Sequence, residues 1–281
     1  MNKIAVIGIV GNSVFLEVEK FHEGGETVEA KSVHFELGGK GFNQAVSAAR
    51  CGAEVSFLAA VGKEDFDSVK SFLDKENIRS TLCKKDDKTA FASIVTDKSG
   101  SNHVTVYQGA QLSENDVMAF EEEISRADIL LINNEVDEGV NLKACEIAKR
   151  SNTKIVLNPA PARITDQFIL DSVDLFTPNE HETLGIEHKE NVIVTLGKKG
   201  CAIKSKNINI PAINVARVVD TTGAGDTFNG ALCAALANEK SIEEAANLAI
   251  LASSIGVTRK YAVSSIPTKK EIEEFLKCKK D

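Results

Sequence analysis

Short apolar runs alternate along this chain with longer amphipathic stretches. The runs that predict β-strands are Lys3–Gly8, Glu54–Ala60, Ile129–Ile132, Lys154–Leu157, Leu175–Thr177 and Val192–Leu196. Helical periodicity marks Phe42–Cys51, Asp67–Lys75 and Val140–Arg150 between them. Strands that alternate with helices in this way predict an α/β fold, in which a central, mostly parallel sheet is flanked by helices.

Two regions interrupt this alternation, because each contains strand-like runs with no helix between them. These runs are Val14–Val18, Ser32–Leu37, Ala92–Thr96 and Asn102–Tyr107. The last two flank residues 97–100, whose Asp-Lys-Ser-Gly sequence is typical of a hairpin turn. We expect a small β-sheet lid over a pocket, built from about residues 14–37 and 91–108. The alternative is that these runs form edge hairpins of the main sheet.

The chain of 281 residues is 43% hydrophobic, which is enough for a sizeable core. We expect a single α/β domain, residues 1–281, with the lid segments inserted in it. A final helix is predicted over Lys269–Lys277, with Thr268 as N-cap and Glu271 three residues later. No apolar run approaches the roughly 20 residues that span a bilayer.

Charge and cysteine content narrow the classes of function. The formal net charge is −8, which argues against a surface that binds nucleic acid or acidic membranes. The six cysteines are scattered without a C-x-x-C pair, so the spacing of a zinc site is absent. The first residues lack the features of a secretory signal. We therefore expect reduced thiols and a cytoplasmic protein.

The strongest candidate for chemistry is the segment 220–231, which reads DTTGAGDTFNGA. Val215–Val219 before it predicts a strand end, and Thr227–Ala237 at its end predicts a helix. Gly223 and Gly225 would let backbone amides approach a ligand closely. The unpaired N–H groups of a new helix attract anions, such as a phosphoryl group in transfer.

Asp226 lies at the start of the same predicted helix. A carboxylate there could take the proton from an attacking hydroxyl, as phosphoryl transfer to an alcohol requires. The ordinary alternative is a helix N-cap preceded by turn glycines. Twelve consecutive residues of this kind favour the catalytic interpretation.

A second glycine-rich segment, 38–45, reads GGKGFNQA and precedes an Ala-rich helix. Its exposed amides, the Lys40 ammonium and the Asn43 amide could bind hydroxyls, although a flexible turn has a similar composition. The spacing is not that of a Walker P-loop. Gly8 and Gly11 give only G-x-x-G, which is not a dinucleotide fingerprint.

Together these two segments resemble the two signatures of the ribokinase/PfkB family of carbohydrate kinases. Further matches to the ribokinase branch are residues 158–162, 177–182, 194–197, 256–260 and 264–267. The resemblance runs from the first strand to the last helix. It implies a ribokinase-like fold and ATP-dependent phosphorylation of a hydroxyl on a sugar or sugar-like substrate. Lids of this family often pair between subunits, which implies a homodimer through the lid.

The resemblance also implies roles for individual residues in the reaction. Asp226 corresponds to the catalytic base, and the anion hole corresponds to Gly223, Ala224 and Gly225. The positions that contact the sugar correspond to Gly39, Lys40, Asn43, Glu135 and Ser13. Taken without the resemblance, Glu135 would be an ordinary surface carboxylate.

The nucleotide and its metal ions are assigned in the same way. The nucleotide side corresponds to Asn179, Thr195 and Gly197, and Glu182 completes an N-x-x-E pattern tied to Mg²⁺ and phosphate. Without the resemblance, Asn179 and Glu182 would read as a solvated helix start. An activating K⁺ would be held, mostly by backbone carbonyls, at Asp220, Thr222, Gly256, Arg259, Tyr261 and Ser265.

The chain departs from the family pattern at several positions. The Asn and Asp that usually face the sugar correspond here to Gly11 and Ser13, so a strong acceptor for sugar hydroxyls is missing. Asn12 and Ser13 could still form weaker hydrogen bonds, and the smaller residues would leave space for a hexose or a nucleoside. Tyr261 replaces a glycine of the cation loop, and Asp67 replaces another glycine. A nucleoside kinase and a catalytically silent binder of ATP or sugar remain the alternatives.

Overall fold

The computed structural model describes residues 2–99 and 101–278, which form thirteen strands and nine α-helices. The strands are β1 (Lys3–Ile7), β2 (Gly11–Val18), β3 (Ala30–Gly38), β4 (Glu54–Gly62), β5 (Arg79–Lys85), β6 (Ala90–Thr96), β7 (Asn102–Tyr107), β8 (Ile129–Asn133), β9 (Lys154–Asn158), β10 (Leu175–Phe176), β11 (Ile193–Thr195), β12 (Cys201–Ile203) and β13 (Ile208–Ile210). The helices are α1 (Lys40–Arg50), α2 (Phe66–Lys75), α3 (Glu114–Met118), α4 (Glu121–Arg126), α5 (Glu138–Ser151), α6 (Gln167–Ser172), α7 (Ala224–Ala237), α8 (Ile242–Gly256) and α9 (Lys269–Cys278).

Six strands form a central sheet in the order β10-β9-β8-β1-β4-β5, and every neighbouring pair is parallel. Side chains of β1 alternate between two cores. Ile4 and Val6 belong to the core beneath α1, α2, α7, α8 and α9, whereas Ala5 and Ile7 belong to the core beneath α3 to α6. Burial on both faces explains why these strands are almost continuously apolar. The predicted α/β fold is confirmed.

The helices α1 and α7 pack directly against each other, and this contact positions the candidate site. A Cβ at Gly230 of α7 would lie 2.4 Å from the carbonyl oxygen of Gln44 in α1. Only glycine allows two helix backbones to approach so closely. The approach carries Asp226, one turn before Gly230, to the side chains at the start of α1.

The four strand-like runs without intervening helices form a separate sheet, in the order β3-β2-β6-β7. The pair β2 and β6 is parallel, and the other two pairs are antiparallel. The alternative of edge hairpins on the main sheet is therefore wrong. At the predicted hairpin turn the Asp97 amide donates to the Ser101 carbonyl oxygen over 3.0 Å, while Gly100 lies outside the described residues.

The structure differs from the sequence predictions in two further places. Val215–Val219 forms no strand; the Val219 amide donates to the Val257 carbonyl oxygen over 2.7 Å, and Val218 is 58% exposed. Val192–Leu196 does contain a strand, β11, but it pairs antiparallel with β12 in a small sheet that also includes β13. This sheet adjoins β10 through a bridge between Phe176 and Val192.

The final helix begins as predicted. The Thr268 amide donates to a Glu271 carboxylate oxygen over 2.7 Å, and the Glu271 amide donates back to the Thr268 hydroxyl over 3.3 Å. Asp67 lies in the first turn of α2, where a carboxylate favours the helix dipole. Asp67 therefore suits the start of α2, and no catalytic role is needed to explain why it replaces the glycine of the family pattern.

The thiols of the described residues are free and have low reactivity. They belong to Cys51, Cys83, Cys145, Cys201 and Cys233, and the side chain of Cys278 lies outside the described residues. Burial raises the pKa of the Cys51 thiol to about 12 and that of Cys201 to about 11, so neither forms a thiolate readily. Within residues 2–99 and 101–278, no helix has the length and apolar content to cross a bilayer.

Candidate active site

The segment 220–226 turns sharply into α7. Gly223 takes the position before the helix with φ of 73°, a left-handed conformation that favours glycine. A Cβ added at Gly225 would meet nothing within 4 Å, so this residue borders open space. Amides in the first turn of a helix have no intrahelical acceptor. The start of α7 therefore presents backbone N–H groups and the positive end of a helix dipole to an open cleft.

Asp226 is buried in the first turn of α7, where two side-chain amides of α1 hold its carboxylate. Asn43 donates to one oxygen over 2.9 Å and Gln44 to the other over 3.1 Å. Burial raises the pKa of Asp226, while the positive charge of Lys40 and the two amides oppose that rise. The result is a fixed carboxylate that is more basic than an exposed aspartate.

Sequence reasoning missed Gln44 and its partner Asn158 as members of the site. The Gln44 amide donates to both Asp226 and the side-chain oxygen of Asn158, the latter over 3.1 Å. Asn158 in turn donates to the Thr177 carbonyl oxygen over 2.9 Å. Both residues lie within segments that resemble the family, namely 38–45 and 158–162, and this resemblance was the signal that could have identified them. Their role depends on the packing of α1 on α7, which the sequence does not reveal.

The turn before α1 brings Lys40 next to the end of β8. Gly39 has φ of 108°, and a Cβ there would lie 2.4 Å from the Ile9 carbonyl oxygen. The Lys40 amide donates to a Glu135 carboxylate oxygen over 2.7 Å, and the Glu135 amide donates to the Asn133 side chain over 2.9 Å. The structure thus joins the glycine-rich turn to Glu135, 95 residues away in the chain.

Three carboxylates interact electrostatically with the Lys40 ammonium. They belong to Asp226, Glu135 and Glu182, and they raise the pKa of Lys40 against the effect of burial, with Asp226 contributing most. Burial, with a further contribution from Asp226, raises the pKa of Glu135 to about 7. Perturbed titratable groups that share a cleft are typical of functional sites.

Ser13 lies on β2 and is buried against the turn before α1. A Cβ at Gly38 would come within 2.7 Å of the Ser13 hydroxyl oxygen. Asn12 points to the other face of the strand, where it donates to an Asp65 oxygen over 3.2 Å. Asn12 and Ser13 were both expected to form hydrogen bonds in place of the missing carboxylate. Only Ser13 lies on the same face of the strand as Gly38.

The free space expected at Gly11 does not exist. A Cβ at Gly11 would lie 2.8 Å from the Ala90 carbonyl oxygen of β6, with the neighbouring carbon at 3.0 Å. The two strands are adjacent and parallel there, so their backbones fill the volume that an asparagine would need.

Asn179 and Glu182 belong to one turn, which lies beside Thr195 at the end of β11. The Asn179 amide donates to Glu182 over 3.0 Å, and the Thr195 amide donates to the Pro178 carbonyl oxygen over 2.9 Å. No helix begins at Asn179, so the alternative of a solvated helix start is wrong. The charge of Glu182 also contributes to raising the pKa of Lys40 and that of Asp226.

An open cleft of about 840 Å³ separates this turn from the start of α7. Asn179, Thr195 and Gly197 line one side, and Ala224 and Gly225 line the other. Apolar side chains, among them Ile213, Val215, Ile250 and Val257, line a further part of the cleft. Exposed amides beside apolar walls suit a ligand with both a phosphate chain and a flat, apolar base.

Of the six residues matched to a cation site, Gly256 ends α8 and the other five lie in the segments before α7 and after α8. Asp220 accepts from the Thr222 amide and from the Tyr261 amide, each over 2.9 Å. Ser265 is buried next to Gly256, since a Cβ at Gly256 would lie 3.7 Å from the Ser265 carbonyl oxygen. The Arg259 side chain pairs instead with Glu271 over 2.6 Å, so only its backbone could take part.

Comparisons with known proteins identify the family of this chain. Residues 1–269 match the model of the pfkB family of carbohydrate kinases. Haemophilus influenzae ribokinase is 38% identical over 301 aligned residues, which cover 97% of this chain and 98% of that protein.

Solved ribokinase structures superpose on nearly the whole chain. The Thermotoga maritima enzyme has a TM-score of 0.87 and 34% identity, with 99% of this chain and 100% of that chain covered. Arabidopsis thaliana ribokinase, solved with ribose and ATP, has a TM-score of 0.84 and 27% identity, with coverage of 98% and 99%. This chain belongs to the pfkB family of carbohydrate kinases, and its function is that of an ATP-dependent sugar kinase.

Proposed function

We propose that this kinase transfers the γ-phosphoryl group of ATP to an alcohol hydroxyl of its substrate, with Asp226 as the general base. The observation that carries the proposal is the buried Asp226 carboxylate, held at the first turn of α7 beside the open cleft. The substrate oxygen bonds to the γ-phosphorus, the bond to the β-phosphate oxygen breaks, and the hydroxyl proton passes to Asp226.

The start of α7 would stabilise the charge that develops during transfer. Gly223, Ala224 and Gly225 form the proposed anion hole, in which first-turn amides face the γ-phosphoryl oxygens. The Ala224 amide donates to the Thr221 carbonyl oxygen over 3.2 Å, so Gly225 and Asp226 supply the uncommitted amides. Dipoles that are fixed before the reaction need no reorganisation during it.

The sugar would lie between the start of α1 and the small sheet. Gly39, Lys40, Asn43, Glu135 and Ser13 are its proposed contacts. The side-chain oxygen of Asn43 is buried and has no hydrogen-bond partner among the described residues. Buried acceptors are rarely left unpaired, so a substrate hydroxyl that donates to Asn43 would complete the network.

The nucleotide would occupy the cleft lined by Asn179, Thr195 and Gly197. Mg²⁺ would arrive with the ATP phosphates, near Glu182, because this ion usually keeps several waters and few protein ligands. Within the described residues, no cluster of three acidic, His or Cys side chains forms a dedicated metal site, which fits that arrangement. The metal supplies charge neutralisation for the phosphates.

A K⁺ ion would sit on the loops that contain Asp220, Thr222, Gly256, Arg259, Tyr261 and Ser265. The donor set fits the ion, because these loops offer carbonyl and hydroxyl oxygens and no nitrogen or sulfur ligand is required. Tyr261 changes the side chain but keeps the carbonyl oxygen that the cation would use. These segments adjoin the anion hole, because a Cβ at Gly223 would lie 3.2 Å from Ala262, the residue after Tyr261.

The small sheet would act as a lid that excludes water from the phosphoryl group. Its outward face is apolar, and Val33, Phe35, Phe91 and Tyr107 are between 40% and 71% exposed. The strand register places these four on one face. A second copy of the chain would cover this face, which supports a homodimer through the lid. The free thiols fit a cytoplasmic location.

We expect Asp226→Asn to abolish turnover while nucleotide binding stays largely intact. Loss of a general base costs on the order of 100- to 10,000-fold in rate. Steady-state kinetics and ADP titration would measure the two effects, and a thermal melt would establish folding. Activity above about a tenth of wild type in the folded variant would contradict the assignment of the base.

The elevated pKa of Glu135 predicts a pH-dependent stability difference for Glu135→Gln. The pKa of Glu135 rises from the ordinary 4.5 to about 7 on folding, so folding favours the protonated form. That stabilisation is complete below about pH 4.5 and is lost as the pH rises through 7. The variant should therefore gain stability relative to wild type, by about 1–3 kcal/mol, between pH 5 and 8.

Urea unfolding of the ligand-free proteins at several pH values would measure this difference. The matched control is Glu187→Gln, because Glu187 is exposed and lies outside the site. A stability difference for Glu135→Gln that stays constant across this pH range would contradict the prediction.

We expect activity to require Mg²⁺ and to rise in K⁺. Phosphoryl transfer needs the metal to offset phosphate charge, and a cation on the loops beside Asp220 would add to the field at the anion hole. Initial rates with MgATP would be compared in Tris buffer and in the same buffer with KCl. Equal rates in the two buffers would refute the K⁺ site, and activity in excess chelator would refute the role of Mg²⁺.

Ribose is not expected to be the best substrate, because Ser13 replaces a carboxylate. Each hydrogen bond to a charged group is worth about 1.5–3 kcal/mol, of which a serine hydroxyl recovers only part. The measurement is kcat/KM for ribose, hexoses and nucleosides in wild type and in Ser13→Asp. We expect ribose to be poor in wild type and to improve by about tenfold or more in the variant.

The control for size is Ser13→Asn, which has nearly the same volume as Asp but no charge. If Ser13→Asn raises kcat/KM for ribose as much as Ser13→Asp does, the shape of the side chain rather than its charge is responsible. If ribose already leads the wild-type panel by about tenfold, the protein is a ribokinase with an altered pocket and the inference from Ser13 is wrong.

A further inference from the structure

One carboxylate ties the small sheet to the loop that follows α8. Glu36 lies on β3, and its side chain is only 7% exposed. One oxygen accepts from the amides of Ala262 and Val263, over 2.7 Å and 3.2 Å. The other accepts from the Ser264 amide over 3.1 Å and from its hydroxyl over 2.7 Å. Both carboxylate oxygens of Glu36 are thus committed to this loop.

Neighbouring side chains reinforce the same connection. The His34 ring, two residues before Glu36, stacks on Tyr261 with ring centres 3.8 Å apart and planes 9° apart. Phe15 packs edge-on against Tyr261, with ring centres 5.2 Å apart. Tyr261 has φ of 73°, which is unfavourable for a large side chain. Such a conformation persists only where the surroundings fix it, so the loop is held firmly against the sheet.

This loop also contacts the start of α7. A Cβ at Gly223 would lie 3.2 Å from both the Cα and the Cβ atoms of Ala262, so the two backbones are in close contact. The Tyr261 amide donates to Asp220, which also accepts from Thr222. A shift of residues 261–264 must therefore displace the turn that carries Gly223, since packed segments move together.

We propose that Glu36 is a positioning residue for phosphoryl transfer. It holds Ala262 against Gly223 and thereby fixes the first-turn amides of α7 and Asp226 relative to the small sheet. The inference rests on the proposed roles of that helix start. It predicts that the sheet contributes to the rate through this carboxylate, in addition to any contact with the sugar.

The experiment compares Glu36→Ala, Glu36→Gln and a control, Glu17→Gln. Glu17 lies on the same sheet and pairs with Lys260 beside the same loop, but through exposed side chains. We expect Glu36→Ala to lower kcat by about 10- to 100-fold, because small misplacements of reacting groups cost that much. KM for ATP should change less than about twofold, and the Glu17 variant should match wild type.

The amide of Glu36→Gln should rescue part of the rate, because its single oxygen can still accept from two of the donors. A second measurement is the affinity for ADP with aluminium fluoride and sugar, divided by the affinity for ADP alone. Aluminium fluoride imitates the transferring phosphoryl group, so this ratio should fall in Glu36→Ala if the anion hole has moved. A merely structural loss would weaken both affinities equally.

A folded Glu36→Ala with kcat within about twofold of wild type, or with an unchanged affinity ratio, would overturn the inference. If Glu36→Ala does not fold, Ser264→Ala removes one donor and should lower kcat and the affinity ratio in the same direction, by less. An unchanged ratio there would also overturn it. Failure of wild type to phosphorylate any sugar would count instead against the proposed function.

Discussion

The site depends on the close contact between α1 and α7. Gly230 allows the two helices to approach until a Cβ would clash with the Gln44 carbonyl oxygen at 2.4 Å. That approach brings the amides of Asn43 and Gln44 to the Asp226 carboxylate. An ionised carboxylate without such partners would be costly to bury. The hydrogen bonds and the Lys40 charge therefore allow a carboxylate that is both buried and fixed in direction.

The same contact explains how the two sequence motifs act as one site. The glycine-rich turn before α1 supplies Lys40, and the DTTGAGD segment supplies Asp226, although 186 positions separate them in number. The packing of α1 on α7 brings both helix starts together, although neither helix follows a strand of the central sheet. Glu135 joins them because it follows the end of β8 and accepts a hydrogen bond from the Lys40 amide. Three elements, α1, α7 and β8, thus meet at one site.

Local patterns were sufficient for much of the fold. Buried parallel strands are short and almost wholly apolar, so β1, β8 and β9 were predicted to within a residue or two. Val215–Val219 has the same apolar character but forms no strand, because whether an apolar run pairs depends on its neighbours. The motifs identified Asp226, Lys40 and Glu135 as candidates. They did not identify Gln44 or Glu36, whose partners lie more than a hundred positions away.

Ser13, where the expected carboxylate is missing, lies next to Glu36, which connects the small sheet to residues 262–264. Ser13 and Glu36 face each other across β2 and β3, so their side chains lie on the same face of the sheet. A carboxylate is therefore present beside Ser13, yet it cannot serve the substrate. Its oxygens already accept four hydrogen bonds from residues 262–264. Glu36 is therefore not available to replace the carboxylate missing at Ser13, and the other charged groups near the start of α1 are Lys40, Glu135 and Asp226. In the proposed sugar site, selectivity for hydroxyls near Ser13 would then depend on neutral hydrogen bonds and on fit, which discriminate less strongly than a charged acceptor.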